Sequence, residues 1–162
     1  MPICYVFHSE TGHTRRLIDR CAAAAGGDKI EIKDLENYGR ITKFLRGGKR
    51  ARQGLLDPID PAEVDVTNYS TVVIGSPVWA GMPTPAVNAA IKALKGAEDK
   101  KAIIVVSCGG NPGQSLEVMQ KAVEEKKMIV TGSMAFTVRD LRDEERVNSL
   151  IDLVKRTNGP EK

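Results

Sequence analysis

The sequence predicts a three-layer α/β fold, in which a five-stranded parallel sheet carries helices on both faces. Five short apolar runs alternate with segments that have one apolar helical face, which is typical of repeated strand–helix units. The third and fourth runs are almost continuously apolar, as expected of strands buried on both faces of a parallel sheet. Right-handed crossovers then favour the strand order 2-1-3-4-5. This order places a ligand crevice at the carboxyl ends of the strands, where the sheet reverses direction.

The five apolar runs give the positions of the predicted strands. They cover residues 3–7, 29–33, 71–75, 102–106 and 128–136. The second run alternates apolar and charged residues, so we expect an edge strand with one wetter face.

Each predicted helix has an apolar face that we expect to pack on the sheet. Gly26 and Gly27 end the first helix, and Pro83 and Pro85 precede the second. The four apolar faces consist of Leu17, Ile18, Cys21 and Ala25; of Val87, Ala90, Ile91 and Leu94; of Leu116, Met119 and Val123; and of Val147, Leu150, Ile151 and Val154.

Length and composition indicate one globular domain over residues 1–162. The chain is 41% hydrophobic and 28% charged, and no apolar run is long enough to span a membrane. Its start lacks the basic segment of a secretory signal. Three scattered cysteines without a CxxC pair indicate reduced thiols in a cytoplasmic protein, and no metal site. A net charge of +3 is too mild to indicate binding of nucleic acid.

The loop after the first strand has the character of a phosphate site. A strand, a hydroxyl-rich turn with one glycine and a helix present free N–H groups and the positive end of the helix dipole. The turn lacks the Gly-Lys-Ser/Thr of a Walker loop and the three glycines of a dinucleotide fingerprint. We therefore predict a site for one terminal phosphate, although an ordinary capped turn would look similar. Its candidate residues are Ser9, Glu10, Thr11, Gly12, His13 and Thr14.

The loops predicted after strands 3 and 4 suit a flat ring. The first contains Trp79, the only tryptophan, whose indole could stack on a ring or instead close the top of the core. Gly81 can adopt either sign of φ, so its peptide could turn toward a ligand. Glycines in the other loop expose backbone groups to the edge of a heterocycle, unless that loop is merely flexible. The candidate residues are Ser76, Pro77, Val78, Trp79, Ala80, Gly81, Ser107, Cys108, Gly109 and Gly110.

The connection over residues 38–61 is longer than a simple crossover needs. Ile41, Phe44 and Leu45 give one apolar helical face, and the pair Gly47-Gly48 is expected to break any single helix. The basic residues over 43–52 indicate either a solvated surface or a docking patch for an acidic partner.

Two segments resemble the flavodoxin family of short-chain, FMN-binding proteins. The segment Ser-Glu-Thr-Gly-His-Thr at 9–14 is similar to its phosphate loop, and Val-Ile-Gly-Ser-Pro-Val-Trp-Ala-Gly at 73–81 is similar to its loop over the flavin ring. The resemblance covers nearly the whole chain in order. It implies a flavodoxin-like sandwich with non-covalent FMN, its phosphate on 9–14, its ring along 76–81 and its edge near 107–110. The chain departs from the family in being slightly basic and in lacking an aromatic residue after strand 4.

The resemblance implies an electron carrier that shuttles electrons between redox partner proteins, which the basic stretch suggests are acidic. The alternative is an enzyme of the same fold, an FMN-dependent NAD(P)H or quinone reductase, which needs an open ring face. A receiver-type signalling domain would need paired acids after the first strand, and Phe7-His8-Ser9 has none. No residue is assigned a catalytic role. His13 is expected to begin the helix and to be exposed, and His8 to lie near the ribityl or phosphate region. Cys108 is expected to be structural, with a redox thiol as the alternative.

Overall fold

The computed structural model of the chain describes residues 2–39 and 42–160, with Phe44 described by its backbone alone. Five parallel strands form the central sheet in the order β10-β9-β6-β1-β2, which is the predicted order 2-1-3-4-5 counted over these five strands. The strands of the sheet are β1 (Ile3–Phe7), β2 (Asp28–Glu31), β6 (Thr71–Trp79), β9 (Lys101–Cys108) and β10 (Ile129–Thr137). The predicted fold class is therefore confirmed.

Short strand pieces lie outside this path. They are β3 (Lys33–Asp34), β4 (Ile59–Asp60), β5 (Val64–Asp65), β7 (Met82–Pro83) and β8 (Leu94–Lys95). The strands β3 and β4 pair antiparallel, β5 pairs parallel with β8, and β7 folds back on β6 as a hairpin.

The helices are α1 (His13–Ala25), α2 (Gly48–Arg52), α3 (Pro85–Lys92), α4 (Ser115–Glu125) and α5 (Glu144–Asn158). A π-helical turn (Lys43–Gly47) precedes α2, and a 3-10 turn (Asp140–Arg142) precedes α5. Local chemistry sets their ends: Gly26 stops α1 at φ 73°, and Asp143 caps the N–H groups of Glu145 and Arg146 at the start of α5. Among the described residues no helix is long and apolar enough to cross a bilayer.

Side chains alternate along the strands to build a core on each face of the sheet. Cys4 and Val6 of β1 pack with α3 and α4, whereas Tyr5 and Phe7 pack with α1 and α5. The predicted apolar faces of the helices lie in these two cores. The edge position and partial exposure of β2 also agree with the alternating pattern of its sequence.

The long connection forms a strap, which we define as the described residues 36–39 and 42–57. Gly47 and Gly48 are both right-handed helical, with φ of −63° and −60°, so helical turns run through the pair and the expected break there is wrong. A glycine is needed for space instead, because a Cβ on Gly47 would lie 3.0 Å from the Trp79 ring. Of the predicted apolar face, Ile41 and the Phe44 side chain lie outside the described residues, and Leu45 is 76% exposed.

Candidate functional site

The turn between β1 and α1 presents a cluster of backbone donors. Ser9 Oγ accepts from Arg15 N–H at 3.1 Å, and Gly12 begins the helix at φ 90°, a value that L side chains rarely adopt. Among the described residues, the N–H groups of residues 10–14 donate to no protein acceptor. These N–H groups and the start of α1 form the positively polarised cradle that a phosphate requires.

Gly75 and a buried hydroxyl pair hold this turn against the sheet. A Cβ on Gly75 would lie 3.0 Å from Thr14 Cγ2 and 3.1 Å from Phe7 Cβ, so only glycine allows α1 to start this close to β6. Thr14 Oγ1 bonds Ser107 Oγ at 2.8 Å, and Thr14 is only 2% exposed. Thr14 and Ser107 therefore join the turn at residues 9–14 to the end of β9, while Ser9, Thr11 and His13 remain accessible at the surface.

A second buried network joins β1, β6 and α3 below the site. His8 Nδ1 lies 3.0 Å from Thr84 Oγ1, and Thr84 N–H donates to Ser76 Oγ at 3.2 Å. Thr84 also caps α3 by accepting from Val87 N–H. Burial, with the nearby charge of Lys43, lowers the pKa of His8 to about 4, so its imidazole is neutral at physiological pH. Ser76 and His8 are thus fixed parts of the site floor.

Residues 76–83 form a strand and a tight hairpin, where the sequence predicted a loop. Strand β6 continues through Pro77 and Val78 to Trp79, which pairs with Met82. Ala80 and Gly81 have φ of 50° and 77°, and two positive φ values suit a two-residue hairpin whose twist matches its strands. The hairpin holds Trp79 and the turn at the carboxyl edge of the sheet, next to the ends of β1 and β9.

The hairpin is locked to the loop after β9. Gln114 N–H donates to Gly81 O at 2.8 Å. A Cβ on Gly113, whose φ is 55°, would lie 2.5 Å from Gly81 Cα. Turning the Gly81 peptide toward a ligand would break the Gln114 bond, so the proposed flexibility of that peptide is opposed by a contact that the sequence did not reveal.

The predicted residues after strand 4 divide between strand and loop. Ser107 and Cys108 are the last residues of β9 and are buried, while Gly109 and Gly110 are exposed and have no atom within 4 Å of an added Cβ. Burial and the charge of Asp140 raise the pKa of the Cys108 thiol, which disfavours the reactive thiolate. Open backbone at Gly109 and Gly110 leaves this rim of the site uncovered.

The strap covers Trp79 from the other side. The Tyr38 ring meets the indole edge to face, with centroids 5.5 Å apart, and Gly47 lies against the indole. Trp79 is half-buried. One side of the indole packs on the strap, and part of the ring stays exposed. This position agrees both with an indole that stacks on a ligand ring and with one that closes the top of the core.

A buried carboxylate fastens the end of the strap. The Asp57 side chain is 0% exposed and accepts from Arg50 Nε at 2.9 Å, from an Arg50 terminal nitrogen at 2.7 Å and from the Tyr38 hydroxyl at 2.5 Å. Asp34 Oδ2 is buried without a conventional partner. Burial, then the interaction with Asp57, raises the pKa of Asp34 to about 7, so the Asp34 carboxyl is partly protonated near neutral pH.

Two cavities border the hairpin. The first has a volume of about 420 Å³ and lies between the phosphate turn, the strap and the strands β2 and β3. Three of its acids are paired: Glu10 with Lys43, Glu31 with Arg15, and Glu36 with Arg46. Its lining residues are His8, Ser9, Glu10, Arg15, Glu31, Ile32, Lys33, Asp34, Glu36, Asn37, Tyr38, Lys43 and Trp79.

The second cavity, about 260 Å³, contains no acid. Its walls are the hairpin turn, the loop before α4 and the end of α2. Its lining residues are Arg52, Ala80, Gly81, Met82, Gly113 and Gln114.

Four residues that border the site were not predicted from the sequence: Gly113, Gln114, Tyr38 and Arg52. Gly113 and Gln114 follow the predicted glycines by a few residues, and only the contact with Gly81 gives them a role. Arg52 was one of several cations in a basic stretch, with no signal that separated it from its neighbours. Within the described residues, no group of His, Cys, Asp and Glu side chains could hold a metal ion.

Solved structures similar to this chain share its fold. A Bacteroides eggerthii protein named as a candidate flavoprotein has a TM-score of 0.73 at 21% identity, covering 94% of this chain and 97% of that one. A Lactobacillus acidophilus flavoprotein in complex with FMN has a TM-score of 0.66 at 14% identity, covering 89% and 98%. The solution structure of two-electron reduced Megasphaera elsdenii flavodoxin has a TM-score of 0.59 at 15% identity, covering 95% and 98%. At these identities the likeness shows the fold alone. A comparison with curated proteins finds no match.

A comparison with protein families identifies the family to which the chain belongs. Residues 7–140, most of the chain, match the NADPH-dependent FMN reductases. The match confirms FMN as the predicted cofactor and places the chain among the flavodoxin-like flavoproteins. It does not single out the short-chain flavodoxins. The chain belongs to the family of NADPH-dependent FMN reductases.

Proposed function

We propose that this protein is an FMN-dependent oxidoreductase that takes a hydride from NAD(P)H and passes the electrons to a small acceptor such as a quinone. The observation that carries this proposal is the unfilled space beside the hairpin. The acid-free cavity of about 260 Å³ and the exposed backbone of Gly109 and Gly110 leave room for a substrate. An electron carrier needs no such room, because its partner approaches only the edge of the flavin.

The turn at residues 9–14 is suited to the FMN phosphate. The free N–H groups of residues 10–14 and the hydroxyls of Ser9 and Thr11 supply donors, and Gly12 keeps a side chain out of the turn. Glu10 is paired with Lys43, so the phosphate does not face an uncompensated carboxylate. We assign Thr14 and Ser107 to holding the turn in place, because their hydroxyls bond each other.

Residues 76–81 and 107–110 are suited to the flavin ring. Bound FMN supplies the redox chemistry, since its ring can accept a hydride from a nicotinamide and release the electrons to an acceptor. The chain's own contribution is to fix Trp79 and the hairpin, through Tyr38, Gly47 and Gly113. No acid occurs in residues 76–83 or 107–115, so these segments do not repel negative charge on the bound flavin.

A second candidate is the electron carrier, acting between redox partner proteins. The observation that favours it is a set of exposed apolar side chains on and beside the strap, next to its cations. Leu35, Leu45, Leu55 and Leu56 are exposed by 57%, 76%, 38% and 44%. Such a surface could receive an acidic partner protein.

Turnover by the FMN-loaded protein separates the two candidates. The enzyme is expected to oxidise NADPH in a saturable, quinone-dependent and FMN-dependent reaction. A yellow protein that releases FMN on denaturation, is not reduced by NADPH, and exchanges electrons only with another redox protein would establish the carrier. A protein that does not take up FMN would overturn both.

A further inference from the structure

The cations of the strap do not share one environment. Lys43, Arg46 and Arg50 are paired with Glu10, Glu36 and Asp57. Arg52, the last residue of α2, is exposed and makes no ion pair with any described residue. Three cations of the basic stretch are therefore held in ion pairs, whereas Arg52, like Lys49, has no such pair among the described residues.

Arg52 lines the second cavity, opposite the hairpin turn. Gly48 at the other end of α2 packs on the turn, with an added Cβ 3.5 Å from Ala80 Cβ. This contact fixes the helix against the hairpin. The Arg52 side chain consequently borders a cavity whose other walls are the turn at Ala80 and Gly81 and the loop at Gly113 and Gln114.

The remaining walls offer donors and no negative charge. Among the described residues, the N–H groups of Ala80 and Gly81 donate to no protein acceptor. The Gln114 side chain is exposed and carries an amide. A guanidinium, backbone N–H groups and an amide around a space without carboxylates make a setting for an anion, and for phosphate in particular, since arginine binds phosphate oxygens through two parallel hydrogen bonds.

We propose that Arg52 binds a phosphate group of the nicotinamide dinucleotide substrate in this second cavity. The inference rests on the proposed function and adds the residue that recognises the substrate. The cavity adjoins the hairpin and the loop after β9, which are the segments suited to the flavin ring. When the nicotinamide lies against that ring, a phosphate group of the same dinucleotide could reach the positively charged cavity nearby. Arg52 is a binding residue and takes no part in hydride transfer.

Titration of the FMN-loaded protein tests this directly. Calorimetry with NADP⁺, NAD⁺ and 2′,5′-ADP is compared among the wild type, Arg52→Gln, Arg52→Lys and Lys49→Gln. Lys49 is the matched control, because it is an exposed cation of the same helix that does not line the cavity. Arg52→Gln is expected to weaken NADP⁺ binding roughly tenfold, with Arg52→Lys intermediate and Lys49→Gln unchanged. In turnover, KM for NADPH should rise while kcat changes little.

The pattern of losses identifies which phosphate is bound. A loss confined to NADP⁺ and 2′,5′-ADP assigns the ribose 2′-phosphate, and an equal loss for NAD⁺ assigns the pyrophosphate; both support the proposal. Unchanged binding in Arg52→Gln, or a loss of FMN affinity that accompanies it, overturns the proposal. A loss limited to an acidic partner protein also overturns it and favours a docking role. A wild type that holds FMN but neither binds nor oxidises the dinucleotide overturns the proposed function itself.

Discussion

The two cavities beside the hairpin are bounded in opposite ways. The first is bounded by charged side chains, with Glu10–Lys43, Glu31–Arg15 and Glu36–Arg46 around its walls and the buried Asp57 at the end of the strap. The second is bounded largely by backbone, where Gly81 and Gly113 touch. Charges on the first side neutralise one another and serve to place the strap. On the second side Arg52 has no neutralising partner among the described residues, and it remains available to a ligand.

Breaking the Arg50–Asp57 ion pair, on the side of the first cavity, should have the largest effect on stability. Arg50→Ala leaves Asp57 buried without its cation, and we expect the free energy of unfolding to fall by about 3 kcal/mol in a denaturant titration. Arg46→Ala is the control, because the exposed pair with Glu36 is worth less than about 1 kcal/mol. Equal losses in the two variants would show that burial of Asp57 does not distinguish the pairs.

A side chain at position 113 should disrupt the contact between the hairpin and the loop before α4, beside the second cavity. Gly113→Ala combines a positive φ with a Cβ 2.5 Å from Gly81 Cα, so we expect a loss of about 2 kcal/mol in stability and weaker FMN binding. Gly54→Ala isolates the backbone term, since Gly54 has φ 64° and open space around it. The Gly54 variant should lose about 1 kcal/mol and keep its FMN affinity. If both variants bind FMN like the wild type, the contact between the two loops does not shape the flavin site.

Substitutions at Gly47 and Gly48 test how the strap packs on Trp79 and on the hairpin turn. Gly47→Ala places a Cβ 3.0 Å from the indole and should cost about 1 kcal/mol, with a shift in the fluorescence of the single tryptophan. Gly48→Ala meets Ala80 at an ordinary 3.5 Å and should raise stability by about 0.5 kcal/mol, because alanine favours the helix. An unshifted emission spectrum in Gly47→Ala would mean that the strap does not hold the indole.

Stability on the side of the first cavity should also depend on pH. Asp34 has a folded pKa of about 7 against an ordinary 3.8, so the folded state retains a proton that the unfolded state loses. Stability from this group is therefore present at low pH and declines as pH rises from about 4 to 7. The carboxyl of Asp57, with Arg50 and Tyr38 bound to it, and the backbone N–H of Glu36 face Asp34.

Asp34→Asn should remove this decline. Wild-type stability minus that of the variant is expected to fall from pH 4 to 7 and then stay level, as measured by urea unfolding across the range. His8 contributes with the opposite sign, because its lowered pKa makes stability rise through pH 4 to 6.5, but it cancels in the difference. Asp152→Asn, on the exposed face of α5, should leave the pH profile unchanged. A pH-independent difference for Asp34→Asn would mean that folding does not raise the pKa of Asp34.

Local patterns in the sequence determined the sheet, the two core faces and the turn at residues 9–14. The alternation in β1 and the helical spacing in α5 depend only on which residues neighbour each other along the chain. The turn at residues 9–14 was recognisable for the same reason, since a strand, a glycine and a helix start are consecutive. Those features follow from the period of the side chains and from the backbone groups left unpaired at a helix start.

Only the tertiary structure decided how the strap and the loops meet. Position 47 is a glycine because it lies against Trp79, and position 113 is a glycine because it touches Gly81; both contacts are made with residues far away in sequence. Arg50 and Arg52 are two residues apart, yet one is fastened to a buried carboxylate and the other faces an open cavity. The sequence alone does not distinguish these two arginines. The folded chain does, because electrostatic and steric contacts depend on distance in space.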